Sequence, residues 1–105
     1  MSCIKCRLKM TTYNLPVEYD KLPQRERRAV REQYIKEQGN LCMFCSEDLF
    51  SEPPEKITEQ NIDWRFFPPG FLNHPVHLQH DHGTGLTEGA IHAYCNAVLW
   101  QYHGR

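Results

Sequence analysis

Two short pairs of potential metal ligands, Cys42-x-x-Cys45 and His92-x-x-Cys95, constrain the fold of this chain more than any other feature. A chain of 105 residues builds one thin core, burying only about 60–70% of the surface its unfolded state exposes, and often needs a staple. Two thiolates three positions apart can chelate one ion from a tight turn, and zinc takes four soft or borderline ligands in a tetrahedron. His92 and Cys95 have the spacing of a second half-site and stand at the entry to a helical stretch, where both can face one ion. Cys42, Cys45, His92 and Cys95 are therefore a candidate Cys₃His site closing a 46-residue loop, with the metal supplying stability that the core lacks. The alternative, a surface His92 among ordinary buried thiols, treats two matched pairs as coincidence.

Four of the five cysteines lie in Cys-x-x-Cys pairs, Cys3/Cys6 and Cys42/Cys45. In a non-secreted chain that pattern favours metal binding over a disulfide framework. Cys3 and Cys6 have no second cysteine pair to complete a site. They either recruit histidines such as His74 or His103 for a second zinc or remain reduced thiols. The opening MSCIKCRLKM lacks the apolar region of a secretory signal. No apolar run approaches the roughly 18 residues that span a bilayer, so an intracellular protein without membrane contact is expected. The net charge is −1. Since phosphate neutralisation drives nucleic-acid affinity, any basic patch must be local.

A helix is predicted from Lys21 to Gln38, with Pro23 in its first turn, Val30 and Tyr34 on one face, and Gly39-Asn40 as the stop. Its outward positions carry Arg25, Arg27, Arg28, Arg31 and Lys36 against Glu26, Glu32 and Glu37. Two readings stay open: a solvated face of mixed ion pairs, or a phosphate-contacting helix built on Arg25, Arg27, Arg28 and Arg31. Residues 46–75 read as irregular, with Trp64, Phe66, Phe67 and Phe71 covering a core under a long loop. Base stacking on one of these rings is the alternative. Val76–His80 and Gly89–His92 read as hairpin strands around the turn Asp81-His82-Gly83-Thr84-Gly85. From about Tyr94 the pattern is helical, with Val98, Leu99 and Tyr102 on one side. The organisation is an N-terminal segment and charged helix (1–40) followed by a zinc-bound unit (41–105), one compact body overall.

From Cys42 to about Trp100 the chain resembles the recombination endonuclease VII family of phage HNH nucleases. The resemblance rests on Cys42/Cys45, then His77-Leu78-Gln79-His80-Asp81-His82, then Thr84-Gly85, then Glu88-Gly89-Ala90-Ile91-His92-Ala93-Tyr94-Cys95-Asn96, in that order. It implies an α+β, zinc-stabilised ββα-metal (His-Me finger, treble-clef-like) domain with an N-terminal basic helix. It also implies a divalent-metal-dependent DNA endonuclease in the cytoplasm of a bacterium or phage-infected cell. His80 falls on the general base, suited to the task because imidazole titrates near neutrality. Asn96 falls on a ligand of the catalytic divalent ion, usually Mg²⁺, and His82 on a second active-site histidine. The zinc is then structural and brings His80 and Asn96 together.

Three departures qualify the implication. Gln79 stands where the family usually has an ion-binding aspartate, so the ion loses its only formal protein charge and its affinity should fall. Asp81 is the nearest carboxylate, yet strict strand alternation puts it on the face of Gln79 with His80 on the other. His92 replaces a zinc cysteine at little cost, since imidazole is an ordinary zinc ligand. With Arg105 last and no long C-terminal extension, nicking or simple cleavage is expected rather than junction resolution, and a homodimer stays one open arrangement. A rival reading keeps the fold but makes it a catalytically degenerate DNA- or protein-binding zinc module. Asn96 alone reads as a helix N-cap.

Overall fold

The computed structural model describes residues 12–104; Cys3 and Cys6 lie outside that range. The chain is a small α+β unit comprising α1 (Gln24–Glu37), a short α2 (Glu55–Thr58), β1 (Val76–His80), β2 (Thr87–His92) and α3 (Ala93–His103). Single 3₁₀ turns occur at Tyr19–Lys21 and Trp64–Phe66. No described helix is long and apolar enough to cross a membrane.

α1 starts three residues later than the charge pattern suggested. Pro23 holds Leu22 extended and serves as N-cap with φ −60°, because the residue before a proline is pushed out of helical geometry. Val30, Tyr34 and Ile35 form its buried stripe. The helix stops where Gly39 and Asn40 both take positive φ, +65° and +68°. The Asn40 amide then donates back to the Ile35 carbonyl at 2.9 Å, satisfying a carbonyl the helix end would leave open.

β1 and β2 form a two-stranded antiparallel hairpin. Its turn is braced by Asp81, whose Oδ1 accepts the amides of Gly83 (2.6 Å) and Thr84 (3.1 Å). The register runs Val76↔His92 to Gln79↔Gly89, then slips, so that His80 pairs with Thr87 and Glu88 is the extra residue of a bulge. A bulge breaks alternation on the strand that carries it, and this one lies on β2, opposite the Gln79–His80 step of β1. α3 follows β2 without a loop and ends at Gly104, φ +71°. Val30, Tyr34 and Ile35 of α1 share one core with Cys42, Leu49, Ile91, Cys95 and Val98, joining the N-terminal segment to the rest.

The outer edge of β2 is covered by groups that are not a strand. Thr87 N–H donates to the Val17 carbonyl (2.8 Å), and Tyr19 N–H to Gly85 (2.8 Å). Further along, the Gln38 side-chain amide imitates a peptide. Its Oε1 accepts Ala90 N–H (2.8 Å) and its Nε2 donates to Ala90 O (3.0 Å). The approach requires a glycine beside it, since a Cβ on Gly89 would lie 2.7 Å from Gln38 Oε1. Gln38→Ala leaves the Ala90 amide unpaired at a buried position. Equilibrium denaturation should show a loss of roughly 1–3 kcal/mol, the cost of an unsatisfied buried donor.

Candidate functional site

The Cys42–Cys45 pair sits in a tight knuckle. Cys42 N–H bonds to Glu47 O (2.8 Å), Ser46 N–H returns to Cys42 O (3.0 Å), and Ser46 takes φ +67° to close the turn. His92 and Cys95 come from the junction of β2 and α3. The four ligand atoms lie within 4.8 Å of one another. Around zinc, donors at ordinary bond lengths in a tetrahedron stand roughly 3.5–3.8 Å apart; Cys45 Sγ and Cys95 Sγ are 3.4 and 3.6 Å from His92 Nδ1. His92 Nε2 faces two carbonyls, Asp48 O (2.8 Å) and Ser51 O (3.0 Å). Carbonyl oxygens only accept, so Nε2 carries the proton and Nδ1 presents its lone pair to the three sulfurs, the arrangement that orients metal-binding histidines.

The thiols themselves call for a cation. A hydrogen bond from the Cys95 thiol, with amide donors from Phe44 and His92, holds Cys42 down to about 4 despite burial. The same bond pushes Cys95 up, and burial raises Cys45. A bound divalent ion would favour deprotonation of Cys45 and Cys95 as well, since metal ligation takes the thiolate form. The group is close enough to bind a metal ion, and its donors suit structural zinc.

One face of the molecule carries a cleft of about 900 Å³. Arg25, Arg27, Arg28 and Arg31 of α1 line it, together with Phe66, Phe67, Phe71 and Trp100. His77, Gln79, His80, His82 and Asn96 line it as well. Among the described residues no Asp or Glu does, so the cleft is basic although the chain is not. Among the described residues, the only ion pair of these four arginines is Arg31 to Glu32 at 3.9 Å. All five residues of β1, Val76 to His80, line the cleft, so Gln79 and His80 both border it although they are neighbours on one strand. Asp81, offered as a substitute ion ligand, does not line the cleft; it braces the hairpin turn.

His80 is held by rings. It stacks on Tyr19 with centroids 4.0 Å apart and planes 12° from parallel, and meets His82 edge-on at 4.7 Å. The Arg27 guanidinium lies 4.1 Å over the same Tyr19 ring. Two groups at that distance cannot share one face, so Tyr19 is sandwiched between Arg27 and His80. Burial lowers the His80 pKa, and the neighbouring His82 and Arg27 lower it further against Asp20 and Asp81. Its ring is therefore neutral at neutral pH, the state a base requires.

Asn96 is not a helix N-cap. It lies in the first turn of α3, where its Nδ2 donates to His77 Nδ1 at 3.1 Å. His77 Nε2 donates to Phe71 O at 2.9 Å, which fixes the tautomer and leaves Asn96 its amide oxygen to offer. Burial lowers the His77 pKa too. Gln79 is 3% exposed, with Nε2 donating to His80 O (2.9 Å) and reaching Glu88 Oε1 (3.4 Å). Sequence reasoning missed Tyr19 and the orienting role of His77. Tyr19 gives no local signal, because it reaches His80 through pairing of residues 17–19 with 85–87, far apart in the chain.

Two measurements check these features. Purified protein should hold one zinc per chain, lost in Cys42→Ser with collapse of the folded circular-dichroism signal, whereas His92→Cys should keep the ion. NMR titration should place the ring midpoints of His77 and His80 below the ordinary histidine value of about 6.5. The folded pKa values are depressed, so this stabilisation is complete above the unfolded value and is lost as pH falls through the folded ones.

No protein-family model matches the chain, and neither a curated protein nor a solved structure does.

Proposed function

We propose that this chain is a DNA endonuclease of the HNH, ββα-metal type, hydrolysing phosphodiester bonds with His80 as general base and a structural zinc at Cys42, Cys45, His92 and Cys95. The observation that carries the reading is the convergence of a neutral, ring-clamped His80 with Asn96 and Gln79 in an acid-free cleft walled by arginines. Arg25, Arg27, Arg28 and Arg31 bind the phosphodiester backbone through charge-assisted hydrogen bonds. His80 takes the proton from the attacking water, and His82, exposed at the cleft, contacts the phosphate. Neutral imidazole suits that task at physiological pH.

Gln79 and Asn96 are the residues that would hold a catalytic divalent ion. When bound, the ion supplies positive charge to the phosphate and the leaving oxygen. Both offer neutral amide oxygens, which Mg²⁺ accepts less readily than carboxylate, so most of its ligands must be water and substrate. The lack of any carboxylate lining the cleft also favours a second reading, a nuclease-type domain that binds DNA without cutting it.

A plasmid-nicking assay on zinc-loaded protein with Mg²⁺, Mn²⁺ or Ni²⁺ separates the two. The nuclease reading expects metal-dependent nicking that falls roughly 10²–10⁴-fold in His80→Ala, the usual contribution of a positioned base. It expects Gln79→Asp to cut at lower metal concentration. Equal nicking by the His80→Ala variant overturns the assignment. DNA binding without nicking, with activity gained in Gln79→Asp, establishes the binding domain instead.

A further inference from the structure

The cleft is lined by two kinds of side chain, arginines and aromatic rings, and the aromatic rings have no use in the scheme above. An arginine row meets the backbone of duplex and single strand alike. Exposed aromatic faces do not, because the bases of an intact duplex already stack on each other. Phe66 is 63% exposed and Trp100 39% exposed, their centroids 6.3 Å apart and planes inclined at 43°. They stand on a buttress rather than on a loose loop. Phe67 packs edge-on to Trp100 at 5.3 Å and against Phe71 at 4.8 Å, and Phe71 packs edge-on to His77 at 4.6 Å. The segment is tied to α3 as well: Asp63 N–H donates to Gln101 Oε1 (2.9 Å) and Gln101 Nε2 to Asn61 O (2.8 Å).

Placement links these rings to the site. Trp100 follows Asn96 by four residues on α3, so the ring and the amide share a helix face, separated by roughly 6 Å of rise. Arg25, Arg27 and Arg28 of α1 line the same cleft. A basic track alongside sequence-tolerant stacking rings is the combination by which proteins hold unpaired strands.

We propose that the cleft takes single-stranded DNA, with the phosphates along the Arg25–Arg31 row and an unpaired base stacked on Phe66 and Trp100. Placing the scissile phosphate beside that base rests on the nuclease reading; the choice of strand does not.

Binding is measured on the full zinc-loaded chain without added catalytic metal, so cleavage plays no part. By fluorescence anisotropy, a labelled twelve-nucleotide oligothymidylate should bind at least about tenfold tighter than a duplex of equal length. Phe66→Leu and Trp100→Leu should each weaken oligothymidylate binding by roughly fivefold to a hundredfold, the effect typical of removing one stacking ring, and leave duplex binding unchanged. The chain has two tryptophans, so Trp64→Phe leaves Trp100 as the sole reporter, and its emission should be quenched by oligothymidylate and not by duplex. That readout needs no change to the stacking rings.

Equal affinity for the two probes, no binding of either, or no response to loss of the rings overturns the proposal. The nuclease reading fails separately: ring-dependent single-strand binding with no metal-dependent cutting of single-stranded circles sinks the enzyme and keeps this site. Cutting of relaxed duplex as fast as single-stranded circles does the reverse.

Discussion

The arrangement around the cleft depends on one cluster of four donors. Cys42 and Cys45 belong to a knuckle that follows α1; His92 and Cys95 belong to the seam of β2 and α3. The same two regions are also joined by the Met43 amide, which donates to the Ala90 carbonyl at 3.0 Å. The cluster fixes the start of α3, and with it the depth of Asn96 in the cleft. It also fixes the end of β2, from which the register of the hairpin, and so the position of His80, is counted. The His92 imidazole carries both duties. One nitrogen faces the sulfurs, and the other is tethered to the carbonyls of Asp48 and Ser51, so the ring orients the metal face while anchoring the loop beyond the knuckle.

A second constraint acts on a smaller scale. Glu88 is an extra residue of β2 opposite the Gln79–His80 step, which bends β2 where the hairpin approaches its turn. The hairpin turn beyond it is held by the Asp81 carboxylate, which is why that carboxylate, closest in sequence to the cleft histidines, does not line the cleft. The negative charge stays in the turn and the basic character of the cavity is preserved. Arg27, Tyr19 and His80 then form a column in which the cation, the phenol ring and the imidazole hold one another in place.

How much of this the sequence revealed follows the range of the interactions. The four donors were legible because each half-site is local, two ligands three residues apart. The α1 stripe of Val30 and Tyr34 and the stops at Gly39-Asn40 and Gly104 were legible for the same reason. The first turn of α1 was misplaced because Pro23 acts on Leu22 before it starts the helix. The bulge, the Gln38 amide against Ala90 and the stacking of Tyr19 on His80 join residues far apart in the chain and carry no spacing signature. Taken alone Asn96 reads as a cap, and only the resemblance assigns it to an ion; its hydrogen-bond partner, His77, lies in another element and leaves no local signal. The aromatic segment was read as core cover. Phe67 and Phe71 pack against Trp100, each other and His77, and with Phe66 they line the cleft.

The covering of β2 has a consequence for how the protein behaves in company. A two-stranded sheet ordinarily presents open backbone edges, each a template on which another chain can add a strand. Here residues 17–19 occupy one stretch of the outer edge of β2, and the Gln38 side chain with the Met43 amide occupies the next. A single glutamine thus works as a one-residue strand too short to propagate pairing. It blocks edge-to-edge aggregation along β2 and leaves the hairpin free to keep the register that its histidines require.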